Sequence, residues 1–154
     1  MNIIAKILKP EYIRLDVELQ SKKRVFEQAG LLFEPVLGLS RRSIFEAFFA
    51  RERLGSTGLG NGIAIPHGRV AGLKDTVGAF VRLKKPILFE SPDNLPVDLL
   101  FLLLVSTESS EEHLQVLAAL AEVLSQEDFR SHLRAAQTAD EIWQLFFNLN
   151  NVGH

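Results

Sequence analysis

The chain contains no cysteine, which removes thiolate nucleophiles, thiolate metal ligands and disulfides from the possible chemistry. Long apolar runs are also missing. The longest, Leu99 to Val105, falls well short of the ~18 residues that a bilayer-spanning helix requires and reads as a core strand instead. Met1 to Lys9 alternates apolar and basic residues without a continuous apolar segment, so no secretory signal is read there and a cytoplasmic protein without membrane insertion is expected. Charge of one sign is scarce too. Seventeen Lys plus Arg against 19 Asp plus Glu give a net charge of −2, which supplies no basic field for nucleic acid and points to a protein or a small anion as partner.

What remains is a chain of 154 residues with 47% hydrophobic content, enough to bury about two-thirds of its unfolded surface as one domain without a metal or disulfide. Residues 21 to 37 and 40 to 53 carry helical periodicity, with Ser21 and Ser40 as N-caps and Gly38 and Gly55 at the ends. Ile44, Ala47, Phe48 and Arg51 share one face of the second of these helices. The middle of the chain is strand-like: Ile63 to Ile65, Thr76 to Leu83, a short Pro86 to Phe89, and Val97 to Val105, the last read as a central strand buried on both faces. The final third is helical again. Ser109 with Glu112, and Thr138 with Glu141, form capping boxes, the first ahead of an apolar face of Leu114, Leu117, Ala118, Ala121 and Leu124. Another short helix is read to begin at Ser125 to Asp128. Helices, strands, helices in that order predict an α/β domain over 1–154, a mixed sheet of about four to five strands flanked by helices.

The segment that stands out is Gly55-Ser-Thr-Gly-Leu-Gly-Asn-Gly-Ile-Ala-Ile-Pro-His-Gly-Arg69, a glycine-rich loop running into a short apolar strand that ends at His67. Two nucleotide readings fail on it. No lysine lies between Gly55 and Arg69 to complete a phosphate-binding loop, and Ile63 stands where the dinucleotide pattern requires its last glycine. His67, between Pro66 and Gly68, has no packing reason to be an imidazole and is the best candidate for chemistry. His113, in the first turn of the capped helix, sits where orphan N–H groups and the dipole favour an anion and a neutral ring. His132 reads as solvated, and His154 ends the chain. A zinc pair of His67 and His113 lacks a third ligand, and no metal or cofactor is expected.

A phosphoryl group is best gripped by a planar, permanently charged fork. Arg51 and Arg53 end the helix before the glycine loop, where either also suits the helix dipole. Arg69 is a turn residue, a phosphate contact or part of a docking surface; Ser56 and Thr57 are turn residues or hydroxyl donors to the anion. All three enter the candidate phosphate-binding set.

Taken together, Arg51 to Arg69 closely resembles the active-site segment of the mannitol/fructose-type IIA proteins of the bacterial phosphotransferase system, and most of all its nitrogen-regulatory members. The resemblance extends through Pro86-Ile-Leu-Phe89, Asp93 to Phe101, Glu112-His-Leu-Gln115 and Leu133-Arg-Ala-Ala136. It departs at Val105-Ser106-Thr107, where many relatives carry a proline. The resemblance implies a mixed sheet flanked by helices, phosphorylation of His67, a second active-site histidine in His113, and assistance to phosphoryl binding from Arg51. It also implies an HPr-like phosphocarrier as donor, no cofactor, and regulatory targets in potassium transport or among sensor kinases. The expected role is that of a phosphoryl-transfer intermediate that regulates partners by its phosphorylation state. A separate sugar-specific IIA component serving a IIB partner, and an unphosphorylated protein- or anion-binding module, are the other readings.

Overall fold

Capping accounts for where the helices begin and end in the computed structural model, which describes residues 1–108 and 110–149. Helix α1 is Ile3–Ile7, capped by Asn2, whose Oδ1 accepts from Ala5 N at 2.8 Å. Helix α2, Lys22–Leu37, starts where Ser21 accepts from Arg24 N and stops at Gly38, which takes the left-handed conformation at φ 69°. Helix α3, Arg41–Glu52, starts where the Ser40 side chain accepts from Ser43 N. Helices α4 (Ser110–Leu124), α5 (Glu127–Ala135) and α6 (Ala139–Phe147) follow the sheet. At α6, Thr138 accepts from Glu141 N, while the Glu141 carboxylate accepts from Gln137 N. The expected cap at Ser109 lies outside the described residues, as does His154.

Six strands form one mixed sheet: β1 (Leu8–Val17), β2 (Gly58–Gly60), β3 (Ile63–Ala64), β4 (His67–Val70), β5 (Val77–Ile87) and β6 (Val97–Ser106). Their order is β1-β5-β6-β3-β2, and β4 pairs with β6 beyond β3, so that β3 and β4 form a broken line parallel to one edge of β6. β1 is parallel to β5, and β5 antiparallel to β6. β6 is buried on both faces, as its composition requires. Leu99, Phe101, Leu103 and Val105 face the core beneath α1, α4, α5 and α6, whereas Leu100, Leu102 and Leu104 face the core beneath α2 and α3. Arg82 crosses the first of these layers. It pairs with Asp16 and donates to the carbonyls of Leu133, Arg134 and Ala136, which occupies the orphan C-terminal carbonyls of α5.

The architecture is the expected one, with three corrections. Sequence reading missed β1, because Lys9, Pro10 and Glu11 break its apolar pattern; the strand tolerates a proline since it lies at the sheet edge. The stretches read as two strands, Thr76 to Leu83 and Pro86 to Phe89, form one strand, β5, which is irregular between Arg82 and Ile87 and ends before Leu88. On α4 the buried face is His113, Val116, Ala119, Leu120, Val123 and Leu124. Of the apolar stripe expected there, Leu124 is buried and Leu117 packs against the core, whereas Leu114 is 66% exposed.

Candidate functional site

The glycine-rich segment folds as a hairpin. β2 and β3 are antiparallel, joined by Asn61 and Gly62, whose φ angles of 58° and 79° are those an Asn-Gly hairpin turn demands. The hairpin is pinned from outside: Asp93 accepts from Asn61 N at 2.9 Å, and Arg134 donates to Asn61 O at 3.0 Å and is paired with Asp98 at 2.8 Å. Ser56 Oγ donates to Phe89 O at 2.6 Å, and Thr57 Oγ1 donates to Glu52 at 2.7 Å. Both hydroxyls are therefore engaged in holding the loop, and neither residue lines the cleft described below.

β3 ends at Ala64, and His67 does not close a strand, as the sequence suggested, but opens the next one. Pro66 supplies no N–H to the ladder, yet its carbonyl accepts from Leu103 N at 2.9 Å, and pairing with β6 resumes at His67 opposite Leu103. Ile65 O lies 2.9 Å from His67 Nδ1. A carbonyl only accepts, so Nδ1 carries the hydrogen and Nε2 presents a lone pair. Arg51, from the last turn of α3, donates its Nε–H to that lone pair at 3.2 Å and its Nη1 to Gly55 O at 2.8 Å. Arg51 reaches His67 because α3 lies directly on β4. A Cβ added at Gly68 would stand 2.7 Å from Ala47 C and 2.8 Å from Ala47 O, so only glycine allows this approach.

His113 meets His67 edge-on, with ring centroids 5.1 Å apart and planes at 64°. Arg69 Nη2 stands 3.2 Å from His113 Nδ1; a guanidinium only donates, so Nδ1 accepts and the hydrogen lies on Nε2. That Nε2 is buried with no partner among the described residues, a state that costs about 1–3 kcal/mol. Both rings resist protonation. His67 is pushed below the ordinary imidazole range by burial first, with Arg51 and Arg69 adding to it, against the Ile65 hydrogen bond and Glu52, which act the other way. His113, 7% exposed, is pushed down to about 4 by burial, then by His67, Arg69 and Arg51. Burial and neighbouring cations push the His113 ring in the same direction as the helix dipole that the sequence suggested.

These side chains line a cleft of about 410 Å³ whose walls are Ala47, Ala50, Arg51, Leu54, Gly68 and Arg69. Of the sequence candidates, His67, His113, Arg51 and Arg69 come together there. Arg53 does not: its guanidinium lies over the Phe49 ring, 5.3 Å from the centroid. A larger cleft of about 560 Å³, lined by Lys6, Tyr12, Lys74 and Thr76 among others, contains no histidine, so chemistry is assigned to the smaller one. No group of three or more metal-ligating side chains exists among the described residues. Sequence reading missed the packing role of Gly68 and the buried carboxylate of Glu52. An acidic residue at a helix C-terminus, against the dipole, was the signal available for the last.

The pattern of the family described as "Phosphoenolpyruvate-dependent sugar phosphotransferase system, EIIA 2" matches residues 6–149. The chain belongs to this EIIA 2 family. Curated relatives within it include the nitrogen regulatory proteins of Klebsiella oxytoca, 45% identical over 92% of this chain and 88% of that protein, and of Pseudomonas aeruginosa, 43% identical over 96% and 97%. The crystal structure of the nitrogen regulatory protein IIA-Ntr from Neisseria meningitidis superposes with a TM-score of 0.89 at 50% identity, covering 93% of this chain and 98% of that one. The Escherichia coli mannitol IIA protein, solved in complex with its phosphorylated IIB protein, shares the EIIA 2 fold at TM-score 0.78 and 22% identity, over 93% and 100% of the two chains. Among the described residues, no helix is long and apolar enough to cross a membrane.

Proposed function

We propose that His67 Nε2 accepts a phosphoryl group from an HPr-like phosphocarrier, and that the chain binds regulatory targets according to whether His67 is phosphorylated. The observation that carries this reading is a neutral imidazole whose Nε2 lone pair faces a guanidinium donor, Arg51 Nε–H at 3.2 Å, with the His113 ring edge-on at 5.1 Å and its buried Nε2–H without a partner among the described residues. A neutral imidazole has one lone pair and accepts one such donor. A trigonal, anionic phosphoryl group in flight can use several.

In the transfer, the His67 Nε2 lone pair forms the new N–P bond as the N–P bond of the donor phosphohistidine breaks, and the donor nitrogen leaves with the electron pair. The Nδ1 hydrogen stays in place, and its bond to Ile65 O steadies the positive charge that develops on the ring. Arg51 passes from the nitrogen to a phosphoryl oxygen, tethered by Gly55 O, and His113 Nε2–H donates to a second. Arg69 fixes the tautomer of His113. The protein contributes position and charge, with little covalent work of its own. Because phosphohistidine stands on both sides, the step is reversible.

The likeness to nitrogen regulatory proteins favours a regulatory output, with potassium-transport proteins and sensor kinases as target classes. A second reading draws on a different relative, the fructose-specific EIIABC component of Bacillus subtilis, 32% identical over 90% of this chain and 22% of that protein. In it, phosphate passes onward to a IIB protein. Incubation with phosphoenolpyruvate, enzyme I and the carrier, followed by intact mass, tests acceptance; failure to gain one phosphoryl group removes the proposal. A pull-down with wild type, His67→Ala and His67→Glu then separates the outputs. A state-sensitive target supports regulation, and a IIB protein as the sole state-sensitive partner supports transport.

A further inference from the structure

Glu52 is a carboxylate in a place where helix electrostatics disfavour one. It is the last residue of α3, next to the negative end of the dipole, and its side chain is only 6% exposed. A buried carboxylate persists where its oxygens are occupied, and here both are. Oε1 accepts from Thr57 N at 3.0 Å and faces Lys22 Nζ at 3.0 Å, while Oε2 accepts from Thr57 Oγ1 at 2.7 Å. Lys22 is itself anchored over the Phe89 ring and paired with Glu90.

The consequence lies on the other side of the turn. Between Glu52 and Thr57 the chain folds tightly, with Leu54 N donating to Arg51 O and Gly55 N to Glu52 O, both at 3.1 Å. Thr57 closes this turn onto the carboxylate. The Gly55 carbonyl at its apex is then directed back to Arg51 Nη1, and the same guanidinium reaches His67 through Nε. We propose that Glu52 is a positioning residue of the histidine site: by locking the turn from residue 53 to Thr57, it places the Gly55 carbonyl so that Arg51 is held against His67. The inference deepens the proposed function, and its kinetic consequence rests on His67 being the phosphoryl acceptor.

The structural half is tested without any phosphoryl donor, by nitrogen NMR of the free protein. In the wild type, the Arg51 Nε proton exchanges slowly with water and shows coupling across its hydrogen bond to His67 Nε2. Glu52→Ala and Thr57→Val lose that coupling while the amide spectrum away from residues 51–57 and His67 stays native; Glu52→Gln, which keeps an acceptor for Thr57, restores part of it. Retention of the coupling in either loss variant with a native spectrum overturns the proposal, and Thr57→Val decides the matter if Glu52→Ala does not fold. In single-turnover phosphorylation, the same loss variants lower the maximal rate about 10- to 100-fold with the carrier concentration at half-maximum unchanged, as expected for a misplaced side chain at the reacting centre. An unchanged maximal rate in a variant that has lost the coupling also overturns it. If the wild type accepts no phosphate, the proposed function fails while the NMR result still stands.

Discussion

Arg51 Nε donates to His67 Nε2 at 3.2 Å while Gly55 O anchors the other end of its guanidinium at 2.8 Å. The nitrogen proposed to attack is thus covered by the group proposed to receive the phosphoryl oxygen. A lysine at this position keeps the charge and loses the fork. We expect Arg51→Lys to slow phosphorylation of His67 about 10- to 100-fold, in line with losing one aligned donor to a developing anion. Arg53→Lys, stacked on Phe49 outside the cleft, should stay near the wild-type rate. Single-turnover phosphate incorporation measures both, and the reverse ranking would move the assignment from Arg51 to Arg53.

The orphaned His113 Nε2–H gives a second expectation. His113→Ala should slow transfer about 10- to 1,000-fold, the range for losing an aligned hydrogen-bonding partner, without moving the label from His67. Peptide mapping of acid-labile phosphate checks both parts. A wild-type rate would leave His113 with only a packing role on α4.

Gly68 allows α3 to lie on β4. Gly68→Ala pushes a methyl group into the Ala47 backbone, 2.7 Å from its carbonyl carbon, so α3 must shift. We expect a loss of about 1–3 kcal/mol in unfolding free energy, as for overpacking elsewhere, together with slowed phosphorylation because Arg51 travels with the helix. Urea titration and the rate assay should move together. A drop in stability with an unchanged rate would separate the helix position from the site.

The depressed proton affinities of both histidines fix a pH dependence. The unfolded chain binds protons on these rings near the ordinary imidazole range, and the folded protein does so only at lower pH, about 4 for His113. Between those limits the unfolded state holds more protons, so stability rises with pH, is fully present above about 6.5, and falls as pH drops toward 4. For His113, 7% exposed, the loss at the acid end approaches about 3 kcal/mol. Glu34 and Asp93, whose carboxyl groups are also held below their usual range by hydrogen bonds, lose their contribution as pH falls further, at and below the acid end of that window. Unfolding free energy between pH 7 and 5 should therefore flatten in a His113→Asn variant; an unchanged slope would show that the ring is not the titrating group.

How much of this was legible in the sequence follows from which physical signals are local. The caps at Ser21, Ser40 and Thr138, the Gly38 stop and the all-apolar run of β6 are local, and the structure has them where the residues indicate. His67 was conspicuous because Pro66 and Gly68 left it no packing role. β1 was hidden, since its partners in β5 lie some seventy residues away in the chain and its own pattern is broken by Lys9, Pro10 and Glu11. The hairpin was readable from Asn61-Gly62, yet the surrounding glycines led the segment to be read simply as a glycine-rich loop. Ser56 and Thr57, read as turn residues or as hydroxyl donors to the anion, direct their hydroxyls to Phe89 O and Glu52. On α4 the start of the buried face was misplaced, since a histidine, His113, and not Leu114 anchors it. Glu52 needed three-dimensional information: nothing in the sequence pairs it with Lys22 and Thr57.

The account stands most directly on one nitrogen. Phosphorus-coupled NMR of the uniformly nitrogen-labelled protein, recorded after incubation with phosphoenolpyruvate, enzyme I and the carrier, reads which ring nitrogen bears the phosphoryl group. We expect a single N–P signal from His67 Nε2, with Nδ1 still protonated against Ile65 O, and its complete loss in His67→Gln. A phosphoryl group on His113, on His67 Nδ1, or undiminished in His67→Gln would contradict the account.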